Sequence, residues 1–213
     1  MVRLLCLILA CSASVFAQSF EASLIGGTLS IPSKSQVIGT GSADPASGNY
    51  TMYGGFRIGA RMALNQGRFL GHEFGYAYSR TSLDIPAATL TVGTGLPSQP
   101  GSIATVTTTT SISTPAHQGF YNFLVYFAPE GFRVRPFATG GVQFTAFSLP
   151  NDYGNRETKY GVNYGGGLKV KLVENWGFRL DVRQYNMSKP FKLYNNTGRL
   201  LMWEFSGGIS FLM

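Results

Sequence analysis

The sequence predicts an all-β protein: an up-and-down antiparallel β-barrel of about eight strands that spans a membrane. Three observations carry this. Charged residues make up 13% of the 213 residues, against roughly 25% in a soluble protein, too few to cover a solvated exterior. Beyond the first residues no run of about 18 consecutive apolar positions occurs, which excludes membrane-spanning helices. Instead, apolar residues alternate with small or charged ones from about residue 20 to residue 213. A transmembrane barrel strand needs apolar side chains only at every second position, facing lipid, while the other positions face the lumen.

Residues 1–17 stand apart from this pattern. Arg3 supplies a positive start, Leu4 to Ala10 is an unbroken apolar run, and Val15 and Ala17 are small residues where a signal peptidase reads. This is a cleaved secretory signal, with cleavage expected after Ala17, leaving residues 18–213 as the barrel domain. Cleavage before Cys11, at Ile8-Leu9-Ala10-Cys11, is the alternative lipoprotein reading, for which Leu9 fits poorly. Both cysteines, Cys6 and Cys11, lie within this stretch, so cleavage after Ala17 leaves no disulfide and no thiolate chemistry.

The clearest strand is Tyr50 to Leu64. Its even positions, Tyr50, Met52, Phe56, Ile58, Ala60, Met62 and Leu64, form an apolar face opposite Arg57, Gly59 and Arg61. In Tyr160 to Leu172, Tyr160, Val162, Tyr164, Leu168 and Val170 oppose Asn163, Lys169 and Lys171. Trp176, Phe178, Leu180 and Val182 alternate with Gly177, Arg179, Asp181 and Arg183. The last segment sets Leu201, Trp203, Phe205, Ile209, Phe211 and Met213 against Glu204, Ser206, Gly208 and Ser210. Weaker strands are expected at 20–31, 69–83, 117–127 and 133–148. The connections between them run long (32–49), short (65–68), long (84–116), short (128–132), intermediate (149–158), short (173–175) and intermediate (188–197). Tight periplasmic turns alternating with longer external loops produce this rhythm, and turn formers such as Asn65-Gln66-Gly67 and Pro129-Glu130-Gly131 occupy the short ones. Both termini then fall on the periplasmic side.

A soluble barrel alternates too, with the opposite phase. The scarcity of charge selects the lipid-facing phase, as do aromatics near strand ends, Phe127, Tyr160, Trp176 and Trp203, where a girdle meets the membrane interface. The inward face then carries Arg57, Arg61, Arg135, Lys169, Lys171, Arg179 and Arg183 with Glu73, Asp181 and Glu204. Charges in a narrow lumen must be paired or hydrated, and eight strands leave an interior that side chains fill. The expectation is an ion-pair network that plugs the barrel; a narrow anion-favouring conduit is the alternative.

The formal net charge is +7, but the basic residues are scattered singly rather than clustered, which excludes a nucleic-acid surface. His72 and Glu73 are neighbours on a strand and point to opposite faces, so they cannot share a metal. His117 is followed by Gln118 and Gly119, without a serine two residues on. No G-x-S-x-G, HExxH or phosphate-binding loop occurs, and no cofactor or catalytic residue is expected. The glycine runs at 26–27, 54–55, 140–141 and 165–167 are read as places of strong curvature. In the loop at 84–116, the β-branched run at 105–111 is either disordered or extends a hairpin above the membrane.

These residues resemble the OmpA-like family of small outer-membrane barrels over residues 18–213. The most specific part of the resemblance is Ser206-Gly-Gly-Ile-Ser-Phe-Leu-Met213. Ser206, Gly208, Phe211 and Met213 take the places of the sorting signal read by the barrel-assembly machinery, with Met213 where the family usually carries an aromatic. The resemblance implies a bacterial outer-membrane location, with membrane lipid and the assembly machinery as partners; a monomeric state is expected, and, because the sequence stops at the last strand, no periplasmic peptidoglycan-binding domain. It also implies a non-enzymatic structural or surface-interaction role, adhesin- or receptor-like, with an extracellular ligand that no motif identifies. A narrow ion or small-solute channel is the alternative, and a lipid-modifying enzyme the more remote one.

Overall fold

The computed structural model describes residues 18–44, 48–86, 90–93, 103–106, 109–149 and 156–213. The expected signal at 1–17 lies outside the described residues, as does part of the 84–116 connection. In chain order the strands are β1 (Gln18–Ser30), β2 (Val37–Thr40), β3 (Asn49–Tyr53), β4 (Phe56–Gln66), β5 (Leu70–Pro86) and β6 (Leu90–Gly93). They continue with β7 (Ile103–Val106), β8 (Thr109–Tyr126), β9 (Val134–Phe147), β10 (Glu157–Lys171), β11 (Trp176–Ser188) and β12 (Arg199–Leu212). One helical turn, Ser33–Gln36, links β1 to β2.

Eight of these strands form a closed ring in the order β1-β4-β5-β8-β9-β10-β11-β12, every neighbour antiparallel. β12 returns to β1, with Glu21 opposite Leu212 and Ser30 opposite Trp203. Closure leaves no row of backbone N–H and C=O groups facing lipid, where each would lack a partner. Gln18, Leu212 and the tight turns after β4, β8 and β10 share one end of the barrel. The longer connections gather at the other.

The alternation sorts side chains as the sequence predicts. Leu24 is 71% exposed, and Ile58, Val142, Val162, Leu180 and Ile209 stand out from the wall with it, while Arg57, Arg61, Arg179, Asp181, Arg183 and Glu204 are buried inside. The outside is apolar and the inside polar, the inverse of a soluble barrel and the arrangement that a lipid solvent requires.

The stretch 50–64, expected as one strand, is two. β3 ends at Tyr53, β4 begins at Phe56, and the phase shifts by one residue between them: Met52 is fully buried, whereas Phe56 is 59% exposed. Gly54 and Gly55 make the shift possible. A Cβ on Gly54 would lie 1.9 Å from the Leu29 carbonyl oxygen, and one on Gly55 2.2 Å from that of Arg80, so the adjacent strands close in on bare backbone. β5 and β8 also run further than expected, pairing up to Pro86 with Thr109. This hairpin rises beyond the barrel, as the extended-hairpin reading of the threonine-rich loop predicts for residues 109–111.

Candidate functional site

Three layers fill the lumen from the short-turn end to the long-loop end. The lowest holds Ala63, Leu124, Tyr126 and Phe137. Here Lys169 donates to Glu21 at 2.5 Å and to the Tyr126 hydroxyl at 2.8 Å, and Tyr126 donates to Asn65 at 2.6 Å.

The middle layer is ionic. Glu73 pairs with Arg179 at 2.5 Å and Arg183 at 2.7 Å. Asp181 lies 2.7 Å from Arg61, 2.7 Å from Arg179 and 2.9 Å from Arg183. Glu204 pairs with Arg57 at 3.2 Å and with Arg61, and accepts from Tyr185 and Ser206, each at 2.5 Å. Four guanidinium groups thus share three carboxylates. The fourth cation is spread over neutral acceptors: Arg57 also donates to Ser79 at 2.9 Å, Gln118 at 2.5 Å and Tyr185 at 3.2 Å. Removing such charges from water costs several kcal/mol each; forked, multiply shared contacts offset it because each guanidinium has five donors to place.

The upper layer is an apolar plug that includes Leu29, Ile38, Met52, Leu83, Phe147, Tyr185, Leu200 and Met202. The connection after β11 caps it. Phe191 packs edge-on to Phe147 at 6.2 Å between ring centroids, and holds a left-handed backbone with φ of 65°, uncommon for a bulky residue. Its N–H donates to Glu157 and its carbonyl accepts from Asn196. Thr40 and Tyr194 exchange backbone hydrogen bonds of 2.8 and 3.0 Å, tying this connection to β2.

Of the ten residues assigned by sequence to the lumen network, seven occupy the middle layer and Lys169 lies below it. Two depart. Among the described residues Arg135 joins no ion pair; its guanidinium lies 3.9 Å from the centroid of the Tyr126 ring, and Nε and Nη2 donate to the carbonyls of Ala128 (3.3 Å) and Arg68 (3.4 Å). Lys171 shares the phase of Lys169 but is exposed. Two residues further along the strand, it has passed the mouth of the barrel. Glu21 was missed; its one signal was a lone acid at an inward position of the weakly patterned β1. Tyr126, Gln118 and Tyr185 were missed for lack of any signal, since a tyrosine in a strand reads as an outward aromatic.

Among the expected interface aromatics, Phe127 and Trp176 lie at the short-turn end, Trp176 edge-on to Phe211 at 5.1 Å. Tyr160 projects from the wall near the start of β10, 77% exposed. Trp203, on β12, is half-buried and stacks on Phe205. In the C-terminal segment Ser206 and Gly208 take the inward phase, Phe211 and Met213 the outward. Both histidines face out. His72 shares hydrogen bonds with Tyr121 (2.7 Å) and Gln66 (3.2 Å), and His117 with Tyr76 (2.5 Å). Those partners include neither serine nor carboxylate.

Residues 4–204 match the family described as the outer membrane protein beta-barrel domain. No curated protein sequence matches the chain. Among solved structures the chain is similar to the N-terminal β-barrel domain of Pseudomonas aeruginosa OprF, with TM-score 0.51 and 12% identity, covering 92% of this chain and 97% of that one. It is also similar to Neisserial surface protein A (NspA), with TM-score 0.52 and 13% identity, covering 91% and 96%. At these identities the likeness is one of fold.

Proposed function

This chain belongs to the outer membrane protein beta-barrel family, as a small barrel of the bacterial outer membrane, and from that premise we propose that it is a non-enzymatic, non-conducting barrel. Its role on this reading is structural and surface-interactive: the wall anchors the chain in lipid, and the long-loop end is presented outside the cell. The short turns and both termini of the barrel then sit on the periplasmic side, which the gathering of the short turns with Gln18 and Leu212 at one end supports.

The observation that carries the reading is the filling of the lumen. Four arginines and three carboxylates bridge the ring from wall to wall, with packed side chains below and an apolar plug above. An ion would have to displace paired guanidinium groups and then cross an apolar layer, where its desolvation is not compensated.

Planar-bilayer recording tests this. Folded protein, identified by heat-modifiable migration on gels, is expected to give no conductance above the lipid baseline. Steady single-channel currents from the folded fraction would overturn the closed reading in favour of a narrow channel. Lipid A of unchanged mass after overexpression is expected of a non-enzymatic barrel; a mass shift that depends on His117 would overturn that part.

A further inference from the structure

Beneath the ion-pair layer, the short-turn end of the lumen opens into a pocket of about 160 Å³. Its charged lining is Glu21, Glu130, Arg135, Lys169 and Lys171. Three of these already have a polar partner inside the protein, although the Glu130 carboxylate keeps its negative charge. Glu21 and Lys169 neutralise each other at 2.5 Å, and Glu130 accepts from Ser19 at 2.5 Å.

Arg135 is different. It is only 7% exposed, yet among the described residues no carboxylate lies within ion-pair distance of it. Its hydrogen bonds to the carbonyls of Ala128 and Arg68 are long, at 3.3 and 3.4 Å. They engage two of the five donors a guanidinium carries. A nearly buried cation without a counter-charge costs several kcal/mol. Every arginine of the layer above, by contrast, touches at least one carboxylate. Lys171, exposed at the mouth, adds a second positive charge on the route into the pocket.

We propose that this pocket is a binding site for a small oxyanion, a phosphate or carboxylate group that enters from the short-turn end. Arg135 forks onto it and Lys171 attracts it. The fork geometry of a guanidinium matches two oxygens of one anion, which a spherical ion cannot offer. The size agrees: at about 160 Å³ the pocket has room for one such group. The site goes beyond the closed-barrel reading, since plugging the lumen requires no pocket here.

The test is titration of the folded protein in uncharged detergent micelles with inorganic phosphate, acetate and chloride, followed by the Arg135 Nε–H resonance. Saturable shifts with phosphate or acetate are expected, the tighter of the two naming the group the site takes, and chloride is expected to be weaker than both. Arg135→Gln should weaken oxyanion binding about ten-fold or more, the loss of a charge-assisted contact, now read by calorimetry. Lys171→Gln should weaken it about two-fold, as fits an exposed charge. Should Arg135→Gln fail to fold, Arg135→Lys keeps the charge without the fork and is expected to bind in between. No saturation in folded wild-type protein, chloride binding as tightly as either oxyanion, or unchanged affinity in a folded Arg135 variant would each overturn the proposal.

Discussion

Replacing Asp181 by Asn tests the central claim that the lumen is held by shared charge. The two side chains have nearly the same shape, so packing is preserved and only the charge is lost. In the native barrel Asp181 lies 2.7 Å from Arg61, 2.7 Å from Arg179 and 2.9 Å from Arg183. At an effective dielectric of about 20, one such contact is worth roughly 6 kcal/mol of gross attraction. Most of that is offset by desolvation and by repulsion among the arginines. What remains is the scale measured when one partner of a buried pair is removed, about 3–5 kcal/mol. After Asp181→Asn, four guanidinium groups share only Glu73 and Glu204, and the layer gains one uncompensated charge.

The assay is urea unfolding of the barrel refolded into lipid vesicles. It is followed by the fluorescence of Trp176 and Trp203, the two tryptophans of the chain, with heat-modifiable migration as a second probe. Arg61→Gln placed in the Asp181→Asn background should cost less than in wild type, with a coupling of about 1–3 kcal/mol. A single variant within about 1 kcal/mol of wild type, with no coupling, would refute the network as a structural element.

Three further outcomes follow from the wall and the plug. Leu24→Arg places a charge on the lipid face and is expected to destabilise by about 2–4 kcal/mol in the same urea assay, if Leu24 lies near the midplane; a neutral result would argue that this face does not meet lipid. Gly208→Ala should slow or prevent refolding into vesicles, because its Cβ would lie 2.1 Å from the Leu24 carbonyl oxygen of the paired strand; refolding without the assembly machinery separates this steric effect from any sorting role, and wild-type refolding would show that the strands can part. Phe191→Ala removes the ring that caps the apolar plug, with an expected loss of about 3–5 kcal/mol, and alanine keeps its Cβ and so gains no relief from the left-handed backbone; faster hydrogen exchange at Met187 and Leu200 measures the loosened cap, and unchanged exchange would refute its role.

Much of the wall was legible because β-strand alternation is a local property. Trp176 to Arg183 alternates without a break, and each of its residues faces the side the sequence predicts. The break at Gly54-Gly55 was not legible. Either side of it the apolar residues keep even numbers, and only the close approach of Leu29 and Arg80 shows that the phase has moved. The same applies to Lys169 and Lys171. Both have the inward phase, but phase carries no information about height, and one is buried while the other lies at the mouth.

The sequence by itself determined which side β4, β10, β11 and β12 turn toward lipid, that the inward face is charged, and that the connections alternate in length. These follow from period two and from turn chemistry, which neighbouring residues settle among themselves. Tertiary structure alone decided which charges meet. Glu21 and Lys169 are 148 residues apart, and Arg61 and Glu204 143. Such partners come together only when the first strand closes on the last with a set stagger, a condition on the whole ring that no local pattern contains. The same closure puts the arginines in one layer, leaves the apolar plug above them, and isolates Arg135 below.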